Sequence, residues 1–115
     1  MALTYFKVPK VDGATMNVWG HVAPIVIGKR AKLFVLCRRR KVPVAVFHYA
    51  SGRKMHDSPD LVAEVFLATK KRKPSMREIT EACIAEIVAE HGPDAVLASL
   101  DEAPIINTAE PKSKL

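Results

Sequence analysis

Within one ten-residue stretch lie His48, Ser51, His56 and Asp57, with Tyr49 beside the first and Arg53 and Lys54 between them. These are residue types that phosphodiester chemistry uses. A histidine there would act as general acid or base, and a neighbouring cation would stabilise the charge developing on a phosphoryl oxygen. The wider pattern does not follow through: there is no H-x-x-x-H, no H-E-x-x-H and no paired-carboxylate spacing, and His21 and His91 stand elsewhere. A small His-dependent phosphodiester enzyme is therefore the weakest of three readings. An enzyme is not the expected class, no metal or cofactor is expected, and no residue is assigned a catalytic role.

The stronger chemistry is anion binding. Arg38, Arg39, Arg40 and Lys41 are four consecutive cations at a place where the flanking pattern demands a turn, and a short turn projects its side chains away from a sheet toward a phosphate backbone. Ser51, Gly52, Arg53 and Lys54 form a second basic turn, whose backbone N–H groups and two cations have the makings of a phosphate or sulfate cradle. It lacks the glycine spacing and Lys-Ser/Thr ending of a nucleotide-binding loop. Lys70, Lys71, Arg72 and Lys73 form a third basic run. Its letters resemble a nuclear-import signal, but cations at a helix C-terminus complement the helix dipole and are the simpler account. Tyr5, Trp19, Phe34, Phe47 and Tyr49 would stack bases if displayed on an open sheet face, although a chain this short needs most of its aromatics in the core.

Charge is partitioned along the chain. Of 18 Lys and Arg residues, fifteen fall in residues 1–74 with four acids (Asp12, Asp57, Asp60, Glu64), a net of +11, whereas residues 75–115 hold three bases and eight acids, a net of −5. A basic region this concentrated points to an anionic partner: DNA or RNA first, held through phosphates with little sequence specificity, and an acidic protein surface as the alternative. Opposite charge on two parts of one chain also suits a homodimer. Two arrangements would separate these classes. Cations beside an exposed aromatic favour nucleic acid; cations around an apolar patch favour protein.

The elements that must position these residues follow from hydrophobic period. Residues 3–8 read as a strand, Asp12-Gly13 as a turn, and residues 15–21 as a strand in which Met16, Val18, Gly20 and Val22 alternate with Thr15, Asn17, Trp19 and His21. Residues 22–27 read as a further strand that Pro24 restricts to an edge or a bulge. Residues 32–38 and 42–49, apolar on both faces, read as a central hairpin joined by Arg39, Arg40 and Lys41. Beyond Ser51-Gly52 the period becomes helical. Ser58 and Pro59 open a helix over 59–72 with an apolar stripe of Leu61, Val62, Val65, Phe66 and Thr69. Ser75 and Glu78 fit a capping box opening a second over 76–91, and a shorter third follows Gly92-Pro93.

The expectation is an α+β fold: a single small domain over 1–107, with an N-terminal antiparallel sheet of three to five strands followed by two to three helices packed on it, and a C-terminal tail over 108–115. Apolar residues make up 49% of the 115, enough for one core. No long apolar run and no signal-peptide pattern is present, so a cytoplasmic, soluble protein without a membrane partner is expected. Cys37 and Cys83 fall in different elements and are expected to be free thiols. Ser113-Lys114-Leu115 matches a peroxisomal address in letters only.

Overall fold

The computed structural model describes residues 2–108, so most of the expected tail, with Ser113-Lys114-Leu115, lies outside the described residues. Five antiparallel strands run β1 (Ala2–Pro9), β2 (Thr15–Ile27), β3 (Arg30–Arg39), β4 (Val42–His48) and β5 (Lys54–His56), each beside the next in chain order. Three helices follow: α1 (Pro59–Lys70), α2 (Met76–His91) and α3 (Pro93–Glu102). This is the α+β architecture that the change of period at residues 51–58 dictates.

Residues 15–21 and 22–27 form one thirteen-residue strand, not two. β1 pairs with β2 only as far as Ala2 opposite Val22, and β3 takes over from His21 onward. At Pro24 the side of β2 turned away from β3 therefore has no strand partner, and a residue without an N–H is tolerated there. β5 is an addition that three residues of Lys-Met-His could not announce; its register against β4 is His56 opposite Val46.

The two faces of the sheet are buried differently. On one, Ala23, Ile25, Ile27, Phe34, Leu36 and Val46 pack under α2 and α3, which contribute Ile79, Cys83, Ile84, Val96, Leu97 and Leu100. On the other, the sheet curls over itself: Phe6 and Val8 of β1 close on Val35, Cys37, Ala45, Phe47 and Tyr49, with the Phe6 ring 5.6 Å from that of Phe47. Two glycines permit the curl. A Cβ on Gly20 would run into Val35 Cγ1, and one on Gly52 into the Lys7 carbonyl oxygen. Asn107 then ties the closure, its amide nitrogen donating to the carbonyls of Lys7 and Tyr49 while its oxygen accepts from the Lys7 N–H. Burial pushes the thiol of Cys37 up to about 11 and that of Cys83 up to about 12, so both are unreactive free thiols at neutral pH.

α2 opens on the capping box read from Ser75 and Glu78: the Glu78 N–H donates to Ser75 Oγ and the Ser75 N–H to the Glu78 carboxylate. α1 departs from expectation in three ways. It stops at Lys70 because Lys71 turns left-handed. The hydroxyl of its N-cap, Ser58, donates to Asp57 instead of capping. Its apolar stripe is not core: Val62 and Phe66 are half-buried, but Leu61 and Val65 are 56% and 66% exposed.

Candidate nucleic-acid interface

The β3–β4 turn is tighter than the three residues the sequence allots to it. β3 runs through Arg39 and β4 begins at Val42, leaving Arg40 and Lys41 alone at the tip with φ of 52° and 68°. Positive φ at both central residues marks a type I′ turn, which matches the strand twist and which Asn-Gly normally fills. Each non-glycine residue there costs about 1 kcal/mol. An arginine and a lysine occupy the hairpin tip despite that cost.

Packing of α1 beside the hairpin brings two of the three basic runs together. Arg38 and Lys41 from the hairpin, Lys73 from the α1–α2 connection and one acid, Glu64 of α1, line one cleft of about 380 Å³ with an apolar floor that includes Pro43, Leu67, Met76 and Ile79. Ion pairing sorts the remaining cations. Asp101 on α3 holds both Arg30 and Lys32 at 2.6 Å, and these partners hold its carboxyl well below the usual range. Arg72, a predicted contact residue, lies 5.0 Å over the Phe66 ring and forms a two-pronged ion pair with Glu78, so it is committed to the fold. Arg39, Arg40, Lys41, Lys70, Lys71 and Lys73 make no ion pair among the described residues. Asp101 thus neutralises the β2–β3 end of the sheet, where Arg30 opens β3, and leaves the cations of the opposite, hairpin end without such a partner among the described residues.

The second basic turn, at residues 51–54, sits at the other end of β4. Ser51 and Gly52 are buried, and the turn's polar groups are directed inward: the Gly52 N–H donates to the His48 carbonyl and the Arg53 N–H to Ser51 Oγ. Those amides are not free to cradle an anion. Arg53 reaches across to Ser99 Oγ, while Lys54 borders a shallow depression beside Glu90. The cluster of catalytic residue types is dispersed in the same way. His48 Nδ1 is hydrogen-bonded to Ser51 Oγ at 2.8 Å in the interior, and burial first, then Lys32 and Arg53, lowers the His48 pKa. His56 Nε2 lies 3.6 Å from Glu86 on α2, and its Nδ1 accepts from the Ser58 N–H. Among the described residues, no group of three or more His, Cys, Asp or Glu side chains is placed to hold a metal.

Tyr5 and Trp19 are two of the five aromatics that the sequence offers for stacking without placing them beside the cations. They are directly opposite in the β1–β2 register, with ring centroids 4.6 Å apart and exposures of 46% and 41%. Trp19 and His21 share the phase of β2 that continues into Ala23, Ile25 and Ile27, the face covered by helices. The helical layer stops short of the β1 half, so this stretch of the face is open. His21 joins it to the hairpin: Arg38 Nη2 donates to His21 Nε2 at 3.3 Å. The signal was in the alternation, which put Trp19 in the polar phase with Thr15, Asn17 and His21. Phe34, Phe47 and Tyr49 are core.

Comparison of the chain with known protein families, with characterised proteins and with solved structures gives no match. Among the described residues, no helix is long and apolar enough to cross a membrane.

Proposed function

We propose that this protein binds nucleic acid, preferring single strands, on the open half of its sheet, with the β3–β4 turn as the phosphate contact. The observation that carries this reading is the exposed Tyr5–Trp19 pair, linked through His21 to Arg38 and the cations at the tip. Aromatics accept any base by stacking, and cations follow the backbone, so binding is tight at low salt and indifferent to sequence. Arg38, Arg39, Arg40, Lys41 and Lys73 hold phosphates; Tyr5 and Trp19 take bases.

The test is a titration with short single-stranded DNA and RNA and with duplex, each at two salt concentrations. Replacing Arg38, Arg39, Arg40 and Lys41 by Gln weakens binding to every sequence alike. It also lowers the log–log salt slope on duplex by roughly 2 to 4, because each phosphate no longer neutralised removes about 0.9. Trp19→Ala costs about 1–3 kcal/mol on single strands and little on duplex. Failure of the parent protein to bind any of these at low salt overturns the proposal. A second reading would then lead, an acidic protein partner, which is favoured by the apolar floor of the cleft that Arg38, Lys41 and Lys73 border.

A further inference from the structure

The outward side of α1 is an exposed apolar feature that neither the core nor the proposed interface uses. Leu61, Val65 and Ala68 follow one another at spacings of four and three, the repeat of a helix-pairing seam, and all three are exposed. Beside the seam, α1 diverges from α2 and leaves a cleft of about 720 Å³, lined on the α1 side by Val62 and Phe66 and on the α2 side by Ala82 and Ala85. Small residues on α2 let another helix approach closely.

Charge along α1 selects the occupant. Asp60 and Glu64 lie in its first half, while Lys70 ends it and Lys71 caps it. Glu64 and Lys71 are seven residues apart, which sets their backbone positions on the same side of the seam; Lys71 leaves the helical φ there, at 59°, as the C-cap. Neither has an ion-pair partner among the described residues. In an antiparallel pair related by a two-fold axis, each flank meets its own copy in reverse order. Val65 then packs against the second copy's Ala68, and Glu64 comes beside the second copy's Lys71, with both contacts repeated by symmetry. A parallel pair sets each flank against the opposite flank of its copy, so Glu64 and Lys71 would lie across the seam from one another and stay unpaired.

We propose that α1 is a self-association surface: two copies of this chain pair their α1 helices antiparallel, each helix seated over the other's α1–α2 cleft to complete a four-helix layer. Such pairing is independent of nucleic-acid binding and would survive the failure of that reading. At twelve residues α1 is about 18 Å long, short of a standard interface, so the dimer is weak and concentration-dependent.

Sedimentation of the protein alone tests this. The expected mass rises with concentration from 12.7 kDa toward twice that value. Val65→Glu, at an exposed position, holds it at the lower mass with an unchanged circular dichroism spectrum. Glu64→Lys and Lys71→Glu each weaken the dimer about tenfold, because two symmetry-related attractions become repulsions. The double reversal restores it. A parent chain that stays monomeric at all concentrations overturns the proposal, as does a dimer that Val65→Glu leaves intact or that the double reversal fails to recover.

Discussion

The β3–β4 and β4–β5 turns both carry adjacent cations, yet they differ in where their hydrogen bonds go. In the second, the Gly52 and Arg53 amides are satisfied by His48 and Ser51, and Gly52 lies beneath β1 against the Lys7 carbonyl. In the first, Arg40 and Lys41 occupy a backbone conformation that favours glycine, and among the described residues their charges have no acidic partner. One turn closes the curl of the sheet and uses up its polar groups in doing so; the other closes the central hairpin in a strained shape and leaves its charges without an acidic partner among the described residues. Basic composition alone does not make a binding site. What distinguishes the two is whether the polar groups are already used by the fold.

The largest effect that would test this contrast is at Gly52. Its φ of +68° and the nearby Lys7 carbonyl leave no place for a Cβ, so Gly52→Ala should destabilise the protein by about 2–4 kcal/mol, combining left-handed strain with backbone displacement. Denaturant melts check this, and a change below about 0.5 kcal/mol would mean that the turn is not the closure described. Arg40→Asn with Lys41→Gly should act in the opposite direction. The pair is the preferred filling of a type I′ turn and should stabilise the fold by about 1 kcal/mol while weakening nucleic-acid binding. Stabilisation without loss of affinity would show that the strain is incidental to binding.

The smallest effect is in pH dependence. His48 has its pKa lowered below 6.5 by burial, then by Lys32 and Arg53. As pH falls, the unfolded chain takes up this proton first, so the His48 contribution is complete above about pH 6.5 and declines below it. That window lies above the one set by Glu78, whose carboxyl is held down to about 2 by Arg72 and the capping bonds and whose contribution is lost only below its ordinary 4.5. Thermal melts between pH 7 and 5 should show the decline, and His48→Gln should flatten it. An equal slope in the variant would assign the decline to another group.

Local rules made much of the fold legible. The capping box at Ser75 and Glu78, the Gly92-Pro93 break and the central hairpin all follow from residues within one turn or one strand of each other. What was not legible depends on contacts distant in sequence. Nothing near Ser51 indicates that β1 will cover Gly52, because that contact spans the whole sheet and is tied by Asn107. The α1 stripe has the pattern of a core face because period shows which residues share a face, not whether another element covers it. The hairpin cations were visible as a run, whereas their connection to Tyr5 and Trp19 required the strand register that brings His21 to Arg38.

Trp19 is the only tryptophan in the chain, so its fluorescence reports directly on whether nucleic acid stacks on the open sheet face while the hairpin tip holds its phosphates. Titration with a short single-stranded oligonucleotide at low salt should quench the emission saturably, high salt should reverse the quenching, and the variant lacking Arg38, Arg39, Arg40 and Lys41 should require far more oligonucleotide to reach it. Emission that stays constant throughout the titration would contradict the account.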